Sequence, residues 1–160
     1  MLRRRQELLQ LEVRLPGAEE LAHAEEVEAT DEDSDGQGYY GNRWDYVISV
    51  CGTLRLWREF EDHPADALPI HALRVGGLAL VTNPCELYCQ FGLDLKRRSP
   101  AGVTMVSQIT NGSVGYCPTI PSIMGGGYSG MPIYWTRLEP YAGYKLVEAW
   151  ARMLNELWRE

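Results

Sequence analysis

Three oxygen-bearing side chains in the second half of the chain could act together. Glu86 stands in Thr82-Asn83-Pro84-Cys85-Glu86-Leu87, just past an apolar run. A carboxylate on the first turn of a helix after a strand end sits where α/β proteins place ligands. The same position suits a capping-box residue that complements the helix dipole, and both readings stand. Tyr116 and Tyr128 punctuate a Gly-rich segment over 111–132, NGSVGYCPTIPSIMGGGYSGMP. Its glycines let the backbone approach a ligand closely. Long loops without regular structure are usually functional or disordered, and the prolines and apolar residues argue against disorder here. The alternative is a packed irregular loop with its tyrosines anchored in the core. Cys85 and Cys89 lie one helical turn apart, but C-x-x-x-C on one helix is not a zinc-finger or zinc-ribbon spacing, so these read as buried apolar thiols. His23, His63 and His71 are scattered. No H-E-x-x-H, phosphate-binding glycine loop or G-x-S-x-G elbow occurs. Taken alone, the residues make no complete active site.

These residues need elements to hold them. His71 to Val75 alternates, Gly76-Gly77 is a two-residue hairpin signal, and Leu78 to Thr82 continues as an apolar strand. Asn83 as N-cap, Pro84 at the first helical position and Glu86 three residues in predict a helix from there to about Arg98, stopped by Ser99-Pro100. Val103 to Thr110 reads as a strand. Tyr141 to Trp158 reads as a closing helix with Tyr144, Val147, Trp150, Leu154 and Leu157 on one stripe. Upstream, residues 2–14 read as a weakly amphipathic helix and Trp44 to Phe60 as another, with Gly52 counting against it. The order of strands and helices is that of an α/β or α+β fold, a mixed sheet with flanking helices.

Composition narrows the classes. The 160 residues hold 45% hydrophobic side chains, enough for a core. A net charge of −7 argues against nucleic-acid binding, which needs a basic surface. No apolar run approaches the ~20 residues of a membrane span. The N-terminal MLRRRQELLQLEVRL lacks the apolar core of a secretory signal, which fits a cytoplasmic location if Met1 is the natural start. The charge is uneven: residues 1–70 carry 16 acids and 7 bases, a net of −9, and residues 71–160 carry 6 acids and 8 bases, a net of +2. Residues 1–38 are therefore expected to be a helical start and an acidic mobile linker, and residues 39–160 the folded body.

The stretch 72–100, ALRVGGLALVTNPCELYCQFGLDLKRRSP, resembles the late part of the catalytic domain of neutral/alkaline ceramidase-like proteins, as do NGSVGYCPT (111–119), GGGYSG (125–130) and EPYAGYKLVE (139–148). The resemblance covers roughly residues 68–158. It implies part of a larger layered catalytic domain of a zinc amidohydrolase that cleaves the N-acyl bond of ceramide-like lipids. Glu86 and Tyr116 fall on the family's late metal ligands, and Tyr128 on a catalytic tyrosine that assists at the substrate carbonyl. The family's two His ligands lie far upstream, and nothing before residue 68 matches them. The resemblance therefore implies that the missing N-terminal part is a partner for completing the site, that the chain by itself binds Zn2+ weakly, and that it is inactive. It further implies an apolar face on strands 70–82 and 103–110 and an unpaired sheet edge. The alternative is a non-catalytic structural or interaction module that keeps the fold remnant.

Overall fold

The structure is a computed structural model that describes residues 2–30 and 43–159. Its centre is a four-stranded mixed sheet in the order β1-β2-β3-β5, where β1 is Leu2–Glu12, β2 Ala65–Val75, β3 Leu78–Thr82 and β5 Val103–Ser107. β1/β2 and β2/β3 are antiparallel, and β3/β5 is parallel. The hairpin lies where Gly76-Gly77 places it. Val75 faces Leu78, and Gly76 takes a φ of +60°, which favours glycine. β3 returns to β5 through α4 (Cys89–Arg98), the crossover that a parallel pair requires.

One face of the sheet is the core. Leu68, Ile70 and Ala72 of β2 and Ala79 and Val81 of β3 are buried with Phe91 and Leu95 of α4 and with α6, Ala142–Arg159. On α6 the stripe read from sequence supplies Val147, Trp150, Leu154 and Leu157 to this core, whereas Tyr144 stays exposed. The opposite face of the sheet carries exposed Val75, Val103 and Met105 beside half-buried Leu73, Leu78 and Leu80. Strand alternation sends these residues away from the helices.

Three segments differ from the sequence reading. Residues 2–12 form a strand, not a helix. All eleven pair with β2, from Leu2 opposite Val75 to Glu12 opposite Ala65. That ladder overrides a helix propensity set by Leu, Arg, Gln and Glu. The acidic stretch expected as a linker contains α1, Ala18–Thr30, with Ala24 buried against the helical segment 43–60. The rest of that stretch, residues 31–38, lies outside the described residues. The helix expected from Pro84 starts only at Cys89, because Cys85–Leu87 is a short strand, β4. The Asn83 side chain does accept the Cys85 N–H at 2.9 Å, but within a turn rather than as a helix cap.

The helix over Trp44–Phe60 is present. It runs as α2 (Arg43–Tyr46), a π-helical stretch Val47–Leu54, and α3 (Arg55–Phe60). Gly52 serves close packing here: a Cβ on it would lie 3.1 Å from the Ile133 side chain.

Candidate functional site

β4 pairs in parallel with β6, Gly115–Cys117, at the C-terminal end of β3. The register sets Cys85 opposite Gly115, Glu86 opposite Tyr116 and Leu87 opposite Cys117. Directly facing residues project to the same side of a sheet, so Glu86 and Tyr116 share one side while Cys85, Leu87 and Cys117 go to the other. The latter three are buried. The neighbouring Cys117 thiol and burial push the Cys85 thiol well above its ordinary range. Cys89 and Cys51 are exposed, so the reading of buried thiols holds for Cys85 and not for Cys89.

The strand is fixed on both edges. Val114 N–H donates to the Pro84 carbonyl at 3.0 Å, and Tyr88 N–H to the Cys117 carbonyl at 3.2 Å. On the other side Ile109 N–H reaches the Cys85 carbonyl at 3.3 Å, and Gln108 Oε1 accepts the Leu87 N–H at 2.8 Å. Ile109 and Asn111 hold φ of +49° and +62°. A β-branched residue rarely adopts the left-handed region, so this turn over Glu86 carries real backbone strain.

Tyr116 stands beside the Glu86 carboxylate, directly opposite it in the strand register. That carboxylate first, and then burial, hold the Tyr116 phenol above its ordinary value. Tyr128 stacks edge-on against Tyr116 with centroids 5.7 Å apart at 76°. Burial and then the Glu86 charge raise its phenol too, and the Trp135 indole opposes them. Tyr128 also lies 5.7 Å from Trp44 and 5.8 Å from Trp135, so aromatic rings surround it although 41% of its own surface is exposed. The Gly-rich segment that carries both tyrosines is partly regular, with β6 and a short helix α5, Ile120–Met124.

Several residues that sequence reasoning passed over build this corner. Tyr88 hydrogen-bonds Ser129 through their hydroxyls, tying the end of β4 to the residue after Tyr128. Its position two residues past Glu86 in extended chain was the available signal. Arg137 is buried and pairs with Asp66 at 2.8 Å, while its Nη1 donates to the Val114 and Tyr134 carbonyls at 3.1 and 2.8 Å. Arg14 donates to the Leu138, Gly130 and Thr136 carbonyls at 3.1, 3.0 and 2.7 Å. Nothing in the local sequence singles out either arginine. The histidines are elsewhere: His23 meets Asp45 at 3.2 Å and His71 meets Thr82 at 2.9 Å. Among the described residues, no group of three or more His, Cys, Asp or Glu could hold a metal ion.

No family model and no curated protein matches the sequence. Among solved structures, one described as "Ceramidase complexed with C2" matches with probability 1.00, TM-score 0.51 and 20% identity. The fold resembles part of a ceramidase. The match covers 58% of this chain and 15% of the ceramidase chain, so the likeness concerns a minor share of that protein. At this identity the likeness is one of fold: a mixed sheet flanked by helices, as the sequence order implies. No helix among the described residues is long and apolar enough to cross a membrane.

Proposed function

We propose that Glu86, Tyr116 and Tyr128 are the late portion of a zinc-dependent amidohydrolase site that cleaves the N-acyl bond of a ceramide-like lipid. The observation that supports it most is the facing of Glu86 and Tyr116 across β4 and β6, with Tyr128 packed on the Tyr116 ring. The donor set suits a cation: one carboxylate and one phenol facing each other on the same side of the β4/β6 pair. Glu86 and Tyr116 would hold zinc, which when bound supplies Lewis acidity at an amide carbonyl and a lowered pKa for water. Tyr128, whose phenol is raised by burial and then by Glu86, would donate a hydrogen bond to an oxyanion. Two ligands hold zinc weakly, and in this reading histidines outside these three residues complete the set.

Zinc titration of the full chain, followed by tyrosinate absorption, tests this. The expected result is a weak, saturable signal as zinc takes the place of the Tyr116 proton, lost in Glu86→Gln and in Tyr116→Phe. Hydrolysis of a fluorescent ceramide by the chain alone is expected to stay at background. Zinc binding that ignores both substitutions overturns the proposal and favours a non-catalytic interaction module.

A further inference from the structure

We infer that two copies of this chain join through the free edge of β1 into one continuous antiparallel sheet. Among the described residues β1 is the outermost strand, eleven residues long, with no Gly or Pro in it. Proteins that keep such an edge single usually shorten, bulge or interrupt it.

The backbone fixes which groups are on offer. Val13 N–H reaches the Pro64 carbonyl of the neighbouring strand at 2.9 Å. Antiparallel alternation then turns the odd residues of β1 toward β2 and the even ones away from it. Of the even residues, Glu12 is engaged: its carbonyl accepts the Glu139 N–H and its N–H donates to the Glu139 carboxylate, both at 2.9 Å. Leu2, Arg4, Gln6, Leu8 and Gln10 have no backbone partner on that side among the described residues.

One symmetric antiparallel register engages all five in both copies. Centred on Gln6, it sets Gln6 opposite Gln6, Arg4 opposite Leu8, and Leu2 opposite Gln10. It also sets Arg5 of each copy directly opposite Glu7 of the other, and facing opposite charges stabilise a sheet. The neighbouring symmetric registers each add a like-charge clash that this one lacks. Centring on Arg5 sets Arg3 against Glu7 but puts Arg5 against Arg5 at the middle, and centring on Glu7 puts Glu7 against Glu7 and spends Leu2 on the engaged Glu12. The selection extends to α6, where Arg5 meets Glu156 at 3.6 Å and Glu7 meets Arg152 at 2.5 Å. The register therefore brings two alternating charge networks edge to edge.

The helix side of the edge has room for the added strand. A groove of about 600 Å³ runs between Glu7 and Leu9 of β1 and Tyr141, Tyr144 and Lys145 at the start of α6. Tyr141 and Tyr144 are 60% and 41% exposed there. A second copy's β1 covers this groove and its tyrosines.

Sedimentation velocity of the full chain over a range of concentrations tests the inference. The expected species is a dimer. Gln6→Pro removes an outward N–H that the monomer does not use, so it is expected to give monomer mass with an unchanged circular dichroism spectrum. Arg5→Glu is expected to do the same by repulsion from Glu7, and Arg5→Glu combined with Glu7→Arg to restore the dimer. A wild-type chain that is monomeric at every concentration overturns the inference, as does a dimer that survives both single substitutions.

Discussion

Glu86 lies beside two tyrosines whose phenols are held above their ordinary value, Tyr116 chiefly by the carboxylate and Tyr128 by burial and then by the Glu86 charge. The pH consequence has a definite sign. A phenol with a raised folded-state pKa binds its proton more tightly in the folded chain. The stability it contributes is complete below the ordinary tyrosine value of about 10 and is lost as pH rises through the folded value. Alkaline titration should show Tyr116 ionising later than a free tyrosine, and Glu86→Gln should move it back toward the ordinary range. Denaturation curves measured on the alkaline limb should be flatter in Tyr116→Phe than in the native chain. A Tyr116 titration that Glu86→Gln leaves in place would mean that the two groups are not coupled. The strained Ile109 marks the same turn. Ile109→Gly relieves the left-handed backbone and should stabilise the fold or leave it unchanged.

Among the elements, β6 has the least freedom. Gly115 has a φ of +82°, and a Cβ there would stand 2.1 Å from the Trp135 carbonyl oxygen. Gly115→Ala should cost about 3 kcal/mol or more by both strain and backbone collision, read as a fall in denaturation midpoint. The same strand leans on Arg137, whose charge is buried and paired with Asp66. Asp66→Asn leaves that charge without its partner and should cost about 3–5 kcal/mol. Asp66→Asn with Arg137→Met together should recover part of the loss. These couplings explain what was legible beforehand. The Gly-Gly hairpin, the strands around it and the stripe of α6 follow from local chemistry and periodicity, and so were readable. β1 was not, because its residues favour a helix and only the partner strand decides otherwise. The start of α4 was misplaced because Asn83 and Pro84 cap and open helices as readily as they shape turns. Glu86 and Tyr116 were singled out as residues, but their facing depends on a parallel pairing across 30 positions that no local pattern encodes.

At the scale of the molecule, the sheet has two unlike faces. One is closed by α4 and α6 around the fully buried Trp150. The other presents Val75, Val103 and Met105, half or more exposed. Paired substitution of Val103 and Met105 by Lys should leave the unfolding midpoint nearly unchanged, within about 0.5 kcal/mol, since neither is buried. It should lower the binding of a hydrophobic dye and raise solubility. A large loss of stability in that variant would mean that this face is covered in solution. Trp150→Ala, on the closed face, should instead cost about 3–5 kcal/mol.

The π-helical stretch Val47–Leu54 sets the angular phase of everything ahead of it. A π-helical turn carries one residue more than an α-helical one, so it acts as an insertion already absorbed within a helix. Deleting one residue from it, Cys51 for example, removes that extra residue and lets the stretch close as α-helix with the upstream segment facing as before, whereas deleting one residue from the α-helical α3 would turn the segment ahead of it by about 100°. Trp44 should keep the Tyr128 ring, 5.7 Å away, in the first variant and swing off it in the second, read by tryptophan fluorescence. The orientation of a tyrosine in the candidate site thus depends on how many residues lie in a helix far from it in sequence.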